Sequence, residues 1–145
     1  MATVVADTSF LFSLFGNDAH TAVAQAWVRQ ARVPITVSAL NRYEFGNAIR
    51  FAAFRQAISP VDARSSLAAF EADLKRGMLQ VAPCDMTAVL AEALQLSERH
   101  TWRGGHRSFD ILHVAVARIL NATLFLTFDA NQQKLATAAK LNVGP

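Results

Sequence analysis

Residues 3–15 read TVVADTSFLFSLF, and the acid in their middle decides the fold. Thr3–Ala6 is a short run of apolar and β-branched residues, the signature of a buried strand. It stops at Asp7. A helical spacing of apolar side chains then runs through Phe10, Leu11, Leu14 and Phe15 until Gly16-Asn17 ends it. In a parallel α/β sheet, a polar residue at this junction points into the crevice beyond the carboxyl ends of the strands. An ionised carboxylate in apolar surroundings is costly unless a cation, a set of strong donors or a pKa shift compensates.

Three more acids sit in similar settings: Glu44 in RYEFGN, Asp110 in SFDILHV and Asp129 in LTFDAN. The other seven (Asp18, Asp62, Glu71, Asp73, Asp85, Glu92 and Glu98) fall in polar or amphipathic stretches and read as surface or cap residues. Four carboxylates converging on one point would repel one another unless a divalent cation lay among them. Sites of carboxylates alone favour hard ions such as Mg²⁺ or Mn²⁺. Such ions can activate water and hold a phosphodiester. Local alternatives exist for three of the four. Asp7 and Asp129 can cap the helices that follow them, and Asp110 suits the positive end of a helix dipole. No local role accounts for Glu44.

The rest of the chain extends the strand–helix alternation. A helix is expected over about 19–31, with Val23, Ala26 and Trp27 inward. Pro34–Val37 reads as the second strand, and Ser38 as the cap of a long helix reaching Ala57. Ser59-Pro60 opens a helix through Leu67, Phe70 and Leu74 that Gly77 stops. Leu79–Val81 is the third strand. A helix over 85–99 follows, through Val89, Leu90, Ala93 and Leu96. Thr101–Arg107 is expected as a basic, glycine-bearing loop, with Ser108 capping the helix that carries Asp110. Thr123–Phe128 forms the fourth strand, residues 131–140 the last helix, and Val143 a short fifth strand. This order implies an α/β fold, a three-layer α/β/α sandwich around a parallel sheet of four to five strands. The 145 residues read as one domain.

Composition narrows the function. Hydrophobic residues make up 52% and charged residues 17%, which excludes a disordered chain. The net charge is +3, and the basic residues are eleven Arg against three Lys. Arg binds phosphate oxygens in a planar fork, so the excess suits a nucleic-acid partner, though net charge also serves solubility. Arg103 and Arg107, in the loop that begins with the aromatic Trp102, are the candidate RNA contacts. The single Cys84 allows no internal disulfide and fits a reducing cytosol. The apolar start carries Asp7 and no basic leader, so it does not read as a signal peptide. Residues 109–128 are broken by Asp110, His113, Arg118 and Asn121 and do not read as a membrane span. The four His residues show no zinc spacing. His20 opens a polar helix start, and His113 reads as a core residue or a support to the site. Ser9, Asn47 and Thr127 are candidate supporting residues, and Asn131 can cap the last helix or lie at the rim. Phe10, Phe15, Phe51, Phe54 and Phe70 read as core or dimer surface.

VVADTSFLFSLF, YEFGNAIR, RSFDILHVAVA and LFLTFDANQQKLATAAKLNV, in this order, make the chain resemble the PIN-domain nucleases, and among them the VapC-type toxins of toxin–antitoxin pairs. The resemblance implies Asp7, Glu44, Asp110 and Asp129 as the metal-binding and catalytic set, with Asp7 and Asp110 the most direct ligands. It further implies Mg²⁺- or Mn²⁺-dependent endoribonuclease activity, a homodimer, a small antitoxin partner and a cytoplasmic location. Many relatives carry another Asp two residues past the final site acid; here that position is Asn131. Two rival readings are a non-catalytic RNA- or partner-binding module and a phosphatase using Asp7 as nucleophile. Haloacid-dehalogenase-like phosphatases want a second Asp where this chain has Ser9.

Overall fold

A computed structural model describes residues 2–145. The strands are β1 (Val4–Ala6), β2 (Ile35–Val37), β3 (Leu79–Val81), β4 (Leu124–Leu126) and β5 (Val143–Gly144). The helices before the third strand are α1 (Thr8–Phe15), α2 (Thr21–Ala31), α3 (Ala39–Phe54) and α4 (Pro60–Arg76). Those after it are α5 (Met86–Leu96), α6 (Trp102–Gly104), α7 (Ser108–Ile119) and α8 (Ala130–Ala138), with a π-helical turn over Ser97–Thr101.

The five strands form one parallel sheet in the order β3-β2-β1-β4-β5. β1 lies at its centre and is buried along its whole length. Alternation along that strand divides the core. Val4 and Ala6 join Phe10, Phe45 and Phe70 on one face, whereas Val5 joins Val89, Val114 and Phe125 on the other. Helices therefore cover both faces, as a parallel sheet requires, and the fold is the expected α/β/α sandwich. The chain leaves β1 toward β2 and β3, then returns to β4 on the opposite side. That reversal opens a crevice at the carboxyl ends of β1 and β4. The Asp7 amide donates to the Leu126 carbonyl at 3.0 Å, which locks the two strand ends together there.

Several boundaries differ from the sequence reading for identifiable reasons. The Ser59 hydroxyl accepts from the Asp62 amide, and Gly77 ends α4 at φ 78°, as expected. α3 stops at Phe54 rather than Ala57, with Gln56 at φ 61° turning the chain. In α2 it is Ala24 that is buried, and Val23 is 49% exposed; in α5 Leu90 is exposed likewise. Residues 101–107 are not one open loop. The π turn carries α5 directly into α6, and only Gly105–Arg107 are non-helical. Gly105, at φ 62°, makes the exit. His106 folds back so closely over Gly104 that a side chain there would collide with its ring. Ser108 does not cap α7 either. Arg107 holds the extended cap position, its carbonyl accepting from the Ile111 amide, so Ser108 is already helical. No helix of the described residues is long and apolar enough to cross a membrane.

Candidate active site

Asp7 is the deepest of the four acids, with 3% of its surface exposed. It is the N-cap of α1, and Oδ1 accepts from the Phe10 amide at 2.9 Å and the Ser9 hydroxyl at 2.7 Å. Oδ2 accepts from the Thr127 hydroxyl, which the end of β4 brings across. Burial pushes the carboxyl pKa up, and the Thr127, Phe10 and Ser9 donors and the nearby His113 only partly offset that. Capping thus explains one oxygen of Asp7 but not its position. Its charge is incompletely compensated within the chain.

Glu44 reaches the same cleft from the second turn of α3. Its Oε1 lies 2.9 Å from His113 Nε2 on α7. The tautomer follows from the neighbours. The Ser38 amide donates to Asn41 Oδ1 at 2.9 Å, which fixes the orientation of that side-chain amide. Asn41 Nδ2 then donates to the Ala6 carbonyl at 3.1 Å and faces His113 Nδ1 at 3.3 Å. With Nδ1 accepting, the ring proton sits on Nε2 and is donated to Glu44. Thr8 Oγ1 lies 3.3 Å from the same Nε2. Burial pulls the Glu44 pKa upward, but the His113 hydrogen bond, aided by the Thr8 hydroxyl and by the Arg107 charge, outweighs it and leaves the carboxyl below its ordinary value. Asn41 was not singled out in the sequence. Its signal is the Ser38-x-x-Asn41 spacing of a capping box, which the structure contains.

Asp110 lies in the first turn of α7, and its Oδ2 accepts from Arg107 Nε at 3.1 Å. Asp129 caps α8, accepting from the Gln132 amide at 2.8 Å, while its own amide donates to Thr127 Oγ1 at 3.1 Å. Asp7, Glu44, Asp110 and Asp129 all line one cleft of about 730 Å³, shared with Ser9, Arg107 and His113. The four segments that carry them are far apart in sequence. The hydroxyls of Ser9 and Thr127, expected to face a metal-bound water or a phosphate, are turned to Asp7. Asn47 is exposed on α3 and absent from the lining, whereas its neighbour Ala48 is part of the wall. Arg107 is a wall residue, whereas Arg103 is exposed on α6 away from it. Asp18, which reads in sequence as an ordinary surface acid, is also part of the wall.

The donor types suit a hard cation: four carboxylates line the cleft, and Asp7 among them is buried. Among the described residues, however, no group of three or more His, Cys, Asp or Glu side chains is arranged to hold a metal ion. Glu44 is turned to His113 and Asp110 to Arg107, so the carboxylates occupy hydrogen bonds within the protein.

Comparison with known proteins agrees with this layout. No curated protein sequence matches the chain significantly. Solved structures with the same fold include VapC20 of Mycobacterium tuberculosis, described as a sarcin-ricin loop cleaving toxin. It is 19% identical with a TM-score of 0.68, over 91% of this chain and 94% of that one. FitAcB of Neisseria gonorrhoeae is 14% identical with a TM-score of 0.64, over 99% and 97%. VapBC2 of Rickettsia felis, solved on a DNA fragment from its promoter, is 13% identical with a TM-score of 0.65, over 98% and 97%. The PIN domain model matches residues 4–138, the span from the first strand to the last helix, and the chain therefore belongs to the PIN domain family.

Proposed function

We propose that the cleft is the active site of a divalent-metal-dependent endoribonuclease, and that residues 1–145 form a single PIN nuclease domain. One observation carries the reading: four acids from four separated segments line one cleft at the switch point of a PIN-family sheet. Asp7, Glu44, Asp110 and Asp129 would hold a Mg²⁺ or Mn²⁺ ion. Such an ion, when bound, supplies water activation and charge neutralisation at a phosphodiester.

The chain's own residues do the rest. Ser9, Thr127 and the Phe10 amide hold Asp7 in one orientation, and His113, fixed by Asn41, holds Glu44. The lowered pKa of Glu44 keeps it ionised, as an oxygen ligand to a cation must be. Arg107 stands at the wall with its guanidinium exposed, positioned to bind a flanking phosphate.

The likeness to VapC20 and VapBC2 supports the further reading that the protein is a cytoplasmic toxin paired with a small antitoxin. Phe51 and Phe54, stacked on the outer face of α3 and exposed, suit a homodimer contact. The test is RNA cleavage by purified protein with Mg²⁺ or Mn²⁺. Cleavage is expected with either ion, and its loss is expected with chelator or in Asp7→Asn. Full activity in chelator, or in Asp7→Asn, defeats the assignment.

A further inference from the structure

The acids account for chemistry at a phosphodiester but not for how a strand is held beside them. His20 presents an aromatic ring at that cleft. It sits at the N-cap of α2, where Ser, Thr, Asp or Asn would satisfy a free amide, yet its side chain makes no capping bond. Its imidazole instead lies flat on Phe128, with ring centres 4.5 Å apart and planes 10° from parallel. Phe128 stacks in turn on the buried Phe10, at 5.4 Å and 14°. Phe128 thus packs against a buried ring, Phe10, and an exposed one, His20. Both His20 and Phe128 line the acidic cleft.

The segment that presents His20 is pinned rather than loose. Asp18 accepts from the Ser13 hydroxyl and from the His20 amide, each at 2.8 Å. The Asp18 amide donates to Thr21 Oγ1 at 2.9 Å, and that hydroxyl donates to the Ser13 carbonyl at 2.7 Å. Asp18 therefore spends its carboxylate on the Ser13 hydroxyl of α1 and on the His20 amide of its own loop, which explains an acid in the wall. A fixed aromatic face at the edge of a charged cleft is what an unpaired nucleobase stacks on.

We propose that His20 is the stacking platform for a base next to the scissile phosphodiester, with Asp18 as the positioning residue that fixes it; this rests on the nuclease reading above. Base stacking is sequence-tolerant, so the platform favours single-stranded or looped RNA over a paired duplex. It contributes to binding, not to the chemical step.

The experiment uses the full chain and a short RNA carrying 2-aminopurine beside the cut site. Equilibrium binding is read in the Asp7→Asn background and turnover in the otherwise native chain. His20→Ala is expected to weaken binding and raise KM by roughly tenfold, with kcat changed by less than about twofold. The quenching of 2-aminopurine on binding should be lost in His20→Ala and restored, with KM, in His20→Trp. Asp18→Asn should show a smaller rise in KM. A merely structural role would move the melting temperature and leave the KM-to-kcat split and the quenching untouched. Binding and KM unchanged in His20→Ala, or no rescue by His20→Trp, overturns the inference while the nuclease reading stands. A native chain that neither binds nor cuts RNA overturns both.

Discussion

Replacing Asn41 by Ala should cost more stability than any surface change on α3, and the structure supplies the estimate. Asn41 is 1% exposed and joins three elements. Its Oδ1 accepts from the Ser38 amide; its Nδ2 donates to the Ala6 carbonyl at the end of β1 and faces His113 Nδ1 on α7. Truncation leaves the Ser38 amide, the Ala6 carbonyl and the His113 nitrogen without a partner in the interior. Each buried polar atom left unpaired costs about 1–3 kcal/mol. Some of the three will find water, so the total is on the order of 3 kcal/mol, or roughly 6–12 °C in Tm for a chain this size. Urea unfolding should show a lower midpoint at unchanged slope. The variant should also lose activity beyond its stability loss, because His113 is freed to rotate and Glu44 loses its orientation. A change below about 1 kcal/mol would mean that the Asn41–His113 connection is not a structural link, and the account of Glu44 would fall with it.

Other outcomes follow from the same geometry. Asp7→Asn should raise the melting temperature measured in chelator, since it removes a buried charge while the Asn side chain can still meet Ser9 and Thr127; a lower value contradicts the burial argument. Because the folded Asp7 carboxyl lies above its ordinary value, its contribution to stability is complete below the unfolded pKa and is lost as pH rises through the folded one. Metal-free melting of the native chain should therefore decline over that window, and Asp7→Asn should flatten the decline. Mg²⁺ or Mn²⁺ should stabilise the native chain by mass action, about 2.7 kcal/mol at a hundredfold excess over Kd, and calorimetry should find no such gain in Asp7→Asn. Arg107→Ala should weaken RNA binding and flatten its salt dependence, whereas Arg103→Ala should do so less, as Arg103 stands off the cleft; equal effects would move the RNA path onto α6.

The fold was legible where local chemistry decides it. The VVAD stretch gives β1 and the acid at its end. Ser59-Pro60 and Gly77 bracket α4 because a capping hydroxyl, a preset φ and a left-handed stop act within a few residues. The boundary at Ser108 was not legible in the same way. Arg107 takes the extended cap position with no side-chain capping bond, so no capping residue type marks the start of α7. The π turn at 97–101 was hidden because nothing in SERHT differs from an ordinary helix end. At the site, apolar surroundings marked Asp7, Glu44, Asp110 and Asp129, which line one cleft. The Asn41–His113–Glu44 chain was not legible because its bonds span 69 and 72 residues. Asp18 and His20 looked polar and local, and only the packing of Phe128 beneath His20 brings them to the wall. Asn47, three residues past Glu44, is exposed and absent from the lining, although its neighbour Ala48 is part of the wall.

The most direct test of the central claim is anomalous scattering from a crystal of the native chain soaked in Mn²⁺. The account predicts one strong peak in the cleft, within about 2.0–2.3 Å of oxygens from Asp7 and at least one of Glu44, Asp110 and Asp129. Occupancy should require Asp110 to turn from Arg107. A crystal of Asp7→Asn under the same soak should lose the peak. No peak among these four carboxylates at millimolar Mn²⁺, or one held by other residues, would contradict the assignment of the cleft as a metal-dependent nuclease site.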